Sequence, residues 1–249
     1  MLDRADLFST LGPSIVHGFT DRNGGHSQDR YASLNMGGKW GDDPEAVRRN
    51  HAAVAEAGGY SLDHLVRVRQ VHGAEVTAAG EVVEGSEADG LWCHRDDGPC
   101  VVAVLTADCV PILLADREGT AVAAVHSGWR GTVADIAAVA VGVLQQAGVP
   151  PERLVAAIGP CIEQPAFEVG QEVAEHFDDA FVERARWPKP HIDLVGVVRS
   201  QLRAAGVPAD AIARVGGCTH ANSERWFSYR RDGKGIGQMM SFVGITGSP

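Results

Sequence analysis

Three nearly continuous apolar runs in the middle of the chain, Val101 to Leu105, Val110 to Ala115 and Ala121 to Val125, constrain this 249-residue sequence more than any other feature. Runs of this length without polar alternation are what strands covered on both faces require. The breaks between them, Thr106-Ala107-Asp108-Cys109 and Asp116 to Gly119, are short. The three runs therefore predict the centre of the fold, and other segments are arranged around it.

Ile15 to Phe19 reads as a strand, followed by the Gly-rich turn Asn23-Gly24-Gly25 and a loop through Ser33-Leu34-Asn35. Asp43 can cap a helix that starts at Pro44 and carries Val47, Val54 and Ala55 on one face. Leu65 to Val71 alternates apolar and polar residues, the period of a half-exposed strand, and stops at His72-Gly73. Beyond Gly128-Trp129-Arg130-Gly131, the residues Val133, Ile136, Ala137, Ala140, Val143 and Leu144 fall at helical spacing, and Gly148 with Pro150 ends the helix. Leu154 to Ile158 is a further strand. Helices near Gly170 to Phe177 and Asp193 to Ala205, and strands near Ile212 to Val215 and Met239 to Ile245, complete the pattern. Adjacent strands mixed with separate helices favour an α+β domain with a mixed sheet over a doubly wound parallel one. No repeat or linker-like tract interrupts the chain, which predicts a single domain over residues 1–249.

A chain of this size buries roughly 70 to 75% of its unfolded surface, so it needs no disulfide or metal to form a core. The five cysteines, at 93, 100, 109, 161 and 218, contain no CxxC pair and read as reduced thiols. A formal charge of −10 argues against a dedicated nucleic-acid or anionic-membrane binder. The N-terminal segment shows no basic stretch followed by an apolar core, and no run of eighteen apolar residues occurs, so a soluble, cytoplasmic protein is expected.

His72, Cys109 and His126 each sit where an apolar strand gives way to a Gly-rich or polar break, positions from which borderline and soft donors can meet a metal ion. They lie 37 and 17 residues apart, which is no local metal signature, and a lone His or Cys at a strand end is more often a packed or hydrogen-bonded structural residue. Asp108, beside the Cys109 thiol, could orient a ligand or move a proton, or cap backbone N–H groups in a turn. Gly128 to Gly131 resembles an anion cradle: glycines for close approach, a helix N-terminus, and the Arg130 guanidinium for an oxyanion. Arg230 and Arg231 could hold phosphate or stack on a base, although consecutive arginines also suit a solvated loop. Trp226, Phe227 and Tyr229 read as core or rim aromatics, and Cys161 and Cys218 as small buried groups.

Several chemistries lack their residues. None of the 10 histidines has another two positions away, so the His-x-His pairs of a trinuclear copper cluster are missing. The signatures of zinc cytidine-type deaminases, HExxH metalloproteases, GxSxG hydrolases, Walker-loop proteins and GxGxxG dinucleotide binders are missing too.

The stretches SLNMGGKWGDDPEAVRRN, QVHG, TADCVPILLAD, AVHSGWRGT, IGPCIEQPAFEVG and CTHANSERWFSYRRDG, in this order from Ser33 to Gly233, resemble the YfiH/laccase-domain family, also called the polyphenol oxidase family. The resemblance implies an α+β fold with layered mixed sheets and a purine nucleoside phosphorylase acting on adenosine, inosine, guanosine and methylthioadenosine, with adenosine deamination as a further activity. It implies a catalytic Zn2+ held by His72, Cys109 and His126 with a fourth position open, copper being the alternative. Arg130, Arg230 and Arg231 would bind phosphate or substrate, and Asp108 would support a ligand or transfer a proton. The partners expected are nucleosides and phosphate, with no nucleic acid or membrane, for a monomer or small homo-oligomer. Rival readings are a copper-dependent phenol oxidase, a cysteine hydrolase using Cys109 with His126, and a binding module without turnover. Two departures stand out: Gly235-Ile236-Gly237-Gln238 replaces the family's TGR-like segment, and Asn50-His51 its asparagine-arginine pair.

Overall fold

In the computed structural model, which describes residues 1–12 and 14–247, the three central runs form strands that belong to two different sheets. The strands are β1 (Leu2–Asp3), β2 (Ile15–Thr20), β3 (Leu65–Val66), β4 (Val76–Ala78), β5 (Gly90–His94), β6 (Cys100–Thr106), β7 (Val110–Asp116), β8 (Ala121–Ser127), β9 (Leu154–Ile158), β10 (Val182–Glu183), β11 (His191–Ile192), β12 (Ile212–Arg214) and β13 (Met239–Ile245). A five-stranded sheet has the order β1-β2-β13-β6-β3, a six-stranded sheet the order β12-β9-β7-β8-β5-β4, and β10 pairs with β11 alone. The helices are α1 (Asp6–Ser9), α2 (Pro44–Gly58), α3 (Trp129–Val133), α4 (Ile136–Gln146), α5 (Gln171–Ala174), α6 (Leu194–Ala204) and α7 (Tyr229–Asp232).

The break between β6 and β7 is therefore a crossing from one layer to the other. Asp108 makes the corner with a φ of 97°, a left-handed conformation that Asp tolerates better than most residues. Alternation along β6 explains why both faces are apolar. Val102 and Val104 join the large core between the sheets, whereas Val101 and Ala103 point outward to Leu34, Met36, Val54, Ala55, Tyr60 and Phe242 beneath α2. Burial of Phe242 there is worth about 3–5 kcal/mol judged by truncation. On the opposite side, α4 packs across β8, β5 and β4 and against α6, burying Ile136, Ala140, Leu144, Val198 and Leu202.

The α+β class with mixed sheets is borne out, including parallel β12/β9, β3/β6 and β4/β5 pairs among antiparallel ones. The α2 signals also hold: the Asp43 carboxylate accepts the Glu45 N–H at 3.0 Å and Gly59 ends the helix at φ 76°. Four expected elements differ. Only Leu65–Val66 of the alternating run 65–71 is a strand. From there the Gln70 side chain takes over the pairing, donating to the Leu105 carbonyl and accepting the Leu105 N–H, both at 2.8 Å. The helix expected to run on through Val133 is broken at Asp135, whose φ of 57° separates α3 from α4. The predicted helix 170–177 shrinks to α5, and the strand 212–215 to β12.

Candidate active site

The layer-crossing corner places Cys109 immediately before β7, and β7 lies against β8 with Pro111 opposite His126. His72 arrives from the irregular segment after β3, in a turn whose φ at His72 is 62°. The three side chains converge: their ligand atoms all lie within 4.8 Å of one another. The His72 and His126 rings meet edge to face with centroids 4.9 Å apart. His126 is buried, Cys109 half-buried and His72 exposed, so the cluster is sealed from below and opens on one side to solvent.

Gly128 forms the floor of this opening. A Cβ there would lie 3.1 Å from His72 Cδ2, 3.3 Å from Cys109 Sγ and 3.6 Å from His126 Cε1, so glycine keeps clear the space among the three ligands. At Gly131 a Cβ would come within 2.6 Å of the Gly73 carbonyl, which shows how closely α3 abuts the His72 turn. Two imidazoles and a thiol around a cleared space suit a zinc-type or copper-type ion, and three protein ligands with an exposed side leave a position for substrate.

Electrostatics couple the cluster. Burial pushes the Cys109 thiol up, but the His126 charge and hydrogen bonds from both imidazoles outweigh it and bring the thiol down to about 6. Burial pushes His126 down, yet the Cys109 charge and the Asp89 carboxylate carry it up to about 9.

Asp89 has no counterpart in the sequence reading. It precedes β5, is sealed from solvent, and its carboxylate accepts the His126 Nδ1–H at 2.7 Å together with the backbone N–H groups of Val71, His72 and Gly73. The only local signal is a carboxylate followed by Gly90 at the start of an apolar segment, which marks a turn and nothing more.

Asp108, expected beside the ligands, turns its carboxylate the other way. It accepts the Thr219 hydroxyl at 2.6 Å, the Ser228 hydroxyl at 3.0 Å and the Arg230 N–H at 2.6 Å. The contacts are those of a residue that caps backbone and anchors a distant segment. The Arg231 guanidinium is taken up by the carbonyls of Thr219, His220 and Trp226 and by Asp232. Arg230 reaches the carbonyls of Ala166 and Glu168. Arg130 is exposed, two residues beyond Gly128, and rests its guanidinium 4.3 Å from the Trp129 ring centroid. Because α3 is only five residues long, its backbone dipole adds little to that charge.

The departures come together around one loop, His51 from α2 and Gln238 from the residue before β13. The Asn35 carboxamide accepts the Gln238 N–H at 2.8 Å, and His51 Nε2 lies 2.9 Å from the Met36 carbonyl. Both serve the buried turn around Asn35.

A family model described as multi-copper polyphenol oxidoreductase laccase matches residues 16–246. The chain belongs to this family. Within this laccase family, a purine nucleoside phosphorylase of Deinococcus radiodurans is 37% identical over 243 residues, covering 93% of this chain and 90% of the relative. A protein from an unknown prokaryotic organism named adenosine deaminase RL5 is 35% identical over 241 residues, 91% of each chain. Among solved structures, the Neisseria meningitidis protein NMB0706 superposes with a TM-score of 0.85 at 35% identity over 99% of both chains.

Proposed function

We propose that the protein is a zinc-dependent purine nucleoside phosphorylase whose centre is His72, Cys109 and His126. The observation that carries this reading is the convergence of two imidazoles and a thiol around the space kept clear by Gly128 and open on the His72 side. The names of the relatives supply the reaction class.

Phosphorolysis exchanges the bond from ribose C1′ to the base nitrogen for one to a phosphate oxygen. The site must therefore hold an anion on one side of the sugar and stabilise the departing base on the other, largely by positioning and electrostatics. Arg130, exposed two residues beyond Gly128, presents a guanidinium for phosphate. Val71 and Tyr229, 43% and 51% exposed beside His72 and the Asp108-anchored segment, offer apolar contact to a purine. When bound, zinc would supply Lewis-acid polarisation of a nucleoside oxygen. Arg231, occupied by backbone carbonyls and Asp232, shapes the wall that carries Tyr229, and Asp108 holds that wall in place.

Zinc is favoured over copper because, among the described residues, these three form the one group of His, Cys, Asp or Glu suited to a metal. A lone ion has no neighbouring coppers with which to share four-electron oxygen chemistry. Adenosine deamination is a second activity of the same centre, favoured by the relative of that name.

Purified protein given adenosine is expected to release adenine only when inorganic phosphate is present, with zinc found at one equivalent by elemental analysis. Equal release without phosphate would show hydrolysis, and stoichiometric copper without zinc would favour the oxidase; either result rejects the reading.

A further inference from the structure

We infer that Asp89 is the positioning residue of the metal centre: one buried carboxylate fixes which nitrogen His126 leaves free and holds His72 in the turn that aims its ring at Cys109. This rests on the reading that His72, Cys109 and His126 bind a metal ion.

One oxygen of the carboxylate serves both histidines and the other secures the rest of the His72 turn. Oδ1 receives the His126 Nδ1–H at 2.7 Å and the His72 backbone N–H at 2.9 Å. Oδ2 receives the Gly73 N–H at 2.6 Å and the Val71 N–H at 3.2 Å. A carboxylate has no proton to give, so Nδ1 of His126 must carry a hydrogen, which leaves Nε2 as the nitrogen that gives up its proton and turns its lone pair to a metal when one binds. His72, with φ at 62°, sits in a left-handed conformation that is unfavourable for a non-glycine residue, and three converging N–H bonds to one anion hold it there. Asp89 is itself held firmly: its N–H and that of Gly90 donate to the Glu75 carbonyl, both at 3.0 Å, and its own carbonyl accepts the His126 N–H at 2.6 Å. The register of β5 on β8, Gly90 opposite Val125, brings this anchor beside His126. Two of the three ligands thus hang on one side chain, although 54 residues separate them in the chain.

Asp89→Asn tests this, because an amide has one acceptor oxygen and an NH2 that must face either the turn N–H groups or His126. Facing His126, it would force the ring proton onto Nε2, the atom required for the metal. Zinc affinity, measured by competition with a chromophoric chelator, is expected to fall about 10- to 100-fold, and the thiolate-to-metal band of the Co2+-loaded protein to weaken or shift. Wild-type affinity with an unchanged cobalt band in Asp89→Asn would overturn the inference. Since that variant risks misfolding, the zinc-loaded wild-type protein provides a second measurement. Long-range proton–nitrogen NMR should show His126 protonated at Nδ1 and without hydrogen at Nε2, and a proton on Nε2 would overturn the inference. No uptake of zinc or cobalt by the wild type would overturn the metal reading and the inference with it. Neither readout uses a nucleoside, so a failed turnover assay would count against the proposed activity alone.

Discussion

Asp89 and Asp108 flank the same three side chains, are both nearly sealed from solvent and both collect N–H or O–H donors, yet they stabilise opposite walls by different routes. Asp89 gathers a turn only 16 to 18 residues away, adds His126, and so acts directly on ligands. Asp108 gathers Thr219, Ser228 and Arg230, which lie 111 to 122 residues further along the chain. One wall is set as soon as β5 lies against β8. The other exists only when the C-terminal part of the chain has docked. A buried carboxylate can hold irregular backbone as firmly as a strand partner does, because each N–H it accepts would otherwise be left unsatisfied in the interior.

This contrast can be broken most severely at the point the walls share. Gly128→Ala would place a methyl group 3.3 Å from Cys109 Sγ and 3.1 Å from the His72 ring. Its φ of −73° suits alanine, so the expected result is a loss of zinc affinity of about a hundredfold, read by chelator competition, with little change in thermal stability. Unaltered zinc binding would show that the cleared space is incidental. The next effect separates the walls. Asp108→Asn keeps its distance from the ligands but points an NH2 at groups that are themselves donors. It is expected to cost about 1–3 kcal/mol of stability by denaturant titration and to raise the nucleoside KM about tenfold, with zinc affinity within about threefold of wild type. A fall in zinc affinity as large as that expected for Asp89→Asn would erase the distinction.

The smallest effect concerns the sheet behind the second wall. His17 accepts the Ala5 N–H at 2.9 Å, His51 lies on the Met36 carbonyl, and burial, aided by Arg4 and Arg67 respectively, lowers both imidazoles to about 4. A depressed histidine stabilises the fold fully above its unfolded value near 6.5 and loses that contribution as the pH falls towards 4. Near pH 5.5 the loss is about 1 kcal/mol for each imidazole. Hydrogen exchange at that pH should quicken in β2 and α2 before it does in β7 and β8; uniform exchange would contradict the assignment.

The sequence marks Cys109 and His126 near strand ends and Gly128 as a break, because strand termini and glycines leave local marks; it also puts His72 at a strand end, whereas β3 stops at Val66. It does not show which strands pair. β6, β7 and β8 are equally apolar, and nothing in those side chains tells a hairpin from a crossing between sheets. The alternation in Leu65 to Val71 predicts a strand that forms only in its first two residues, since Gln70 finds the Leu105 backbone instead. The double arginine illustrates the same limit. Its composition suggests phosphate, while the fold occupies Arg231 with carbonyls that lie 5 to 12 residues away.

By itself, then, the sequence determined the α+β class, the central apolar strands and the capped helix at Pro44, properties written in periodicity and residue type within short windows, while the three donors stood out as one set only through the resemblance to a known family. The tertiary structure alone decided that the three side chains meet, that the Asp89 carboxylate rather than that of Asp108 faces His126 and the His72 turn, and that Arg231 is taken up by backbone carbonyls while Arg130 stays exposed. These outcomes depend on contacts between residues tens to more than a hundred positions apart. A hydrogen bond or a cleared space is a relation between two surfaces, and no single segment carries the information for both.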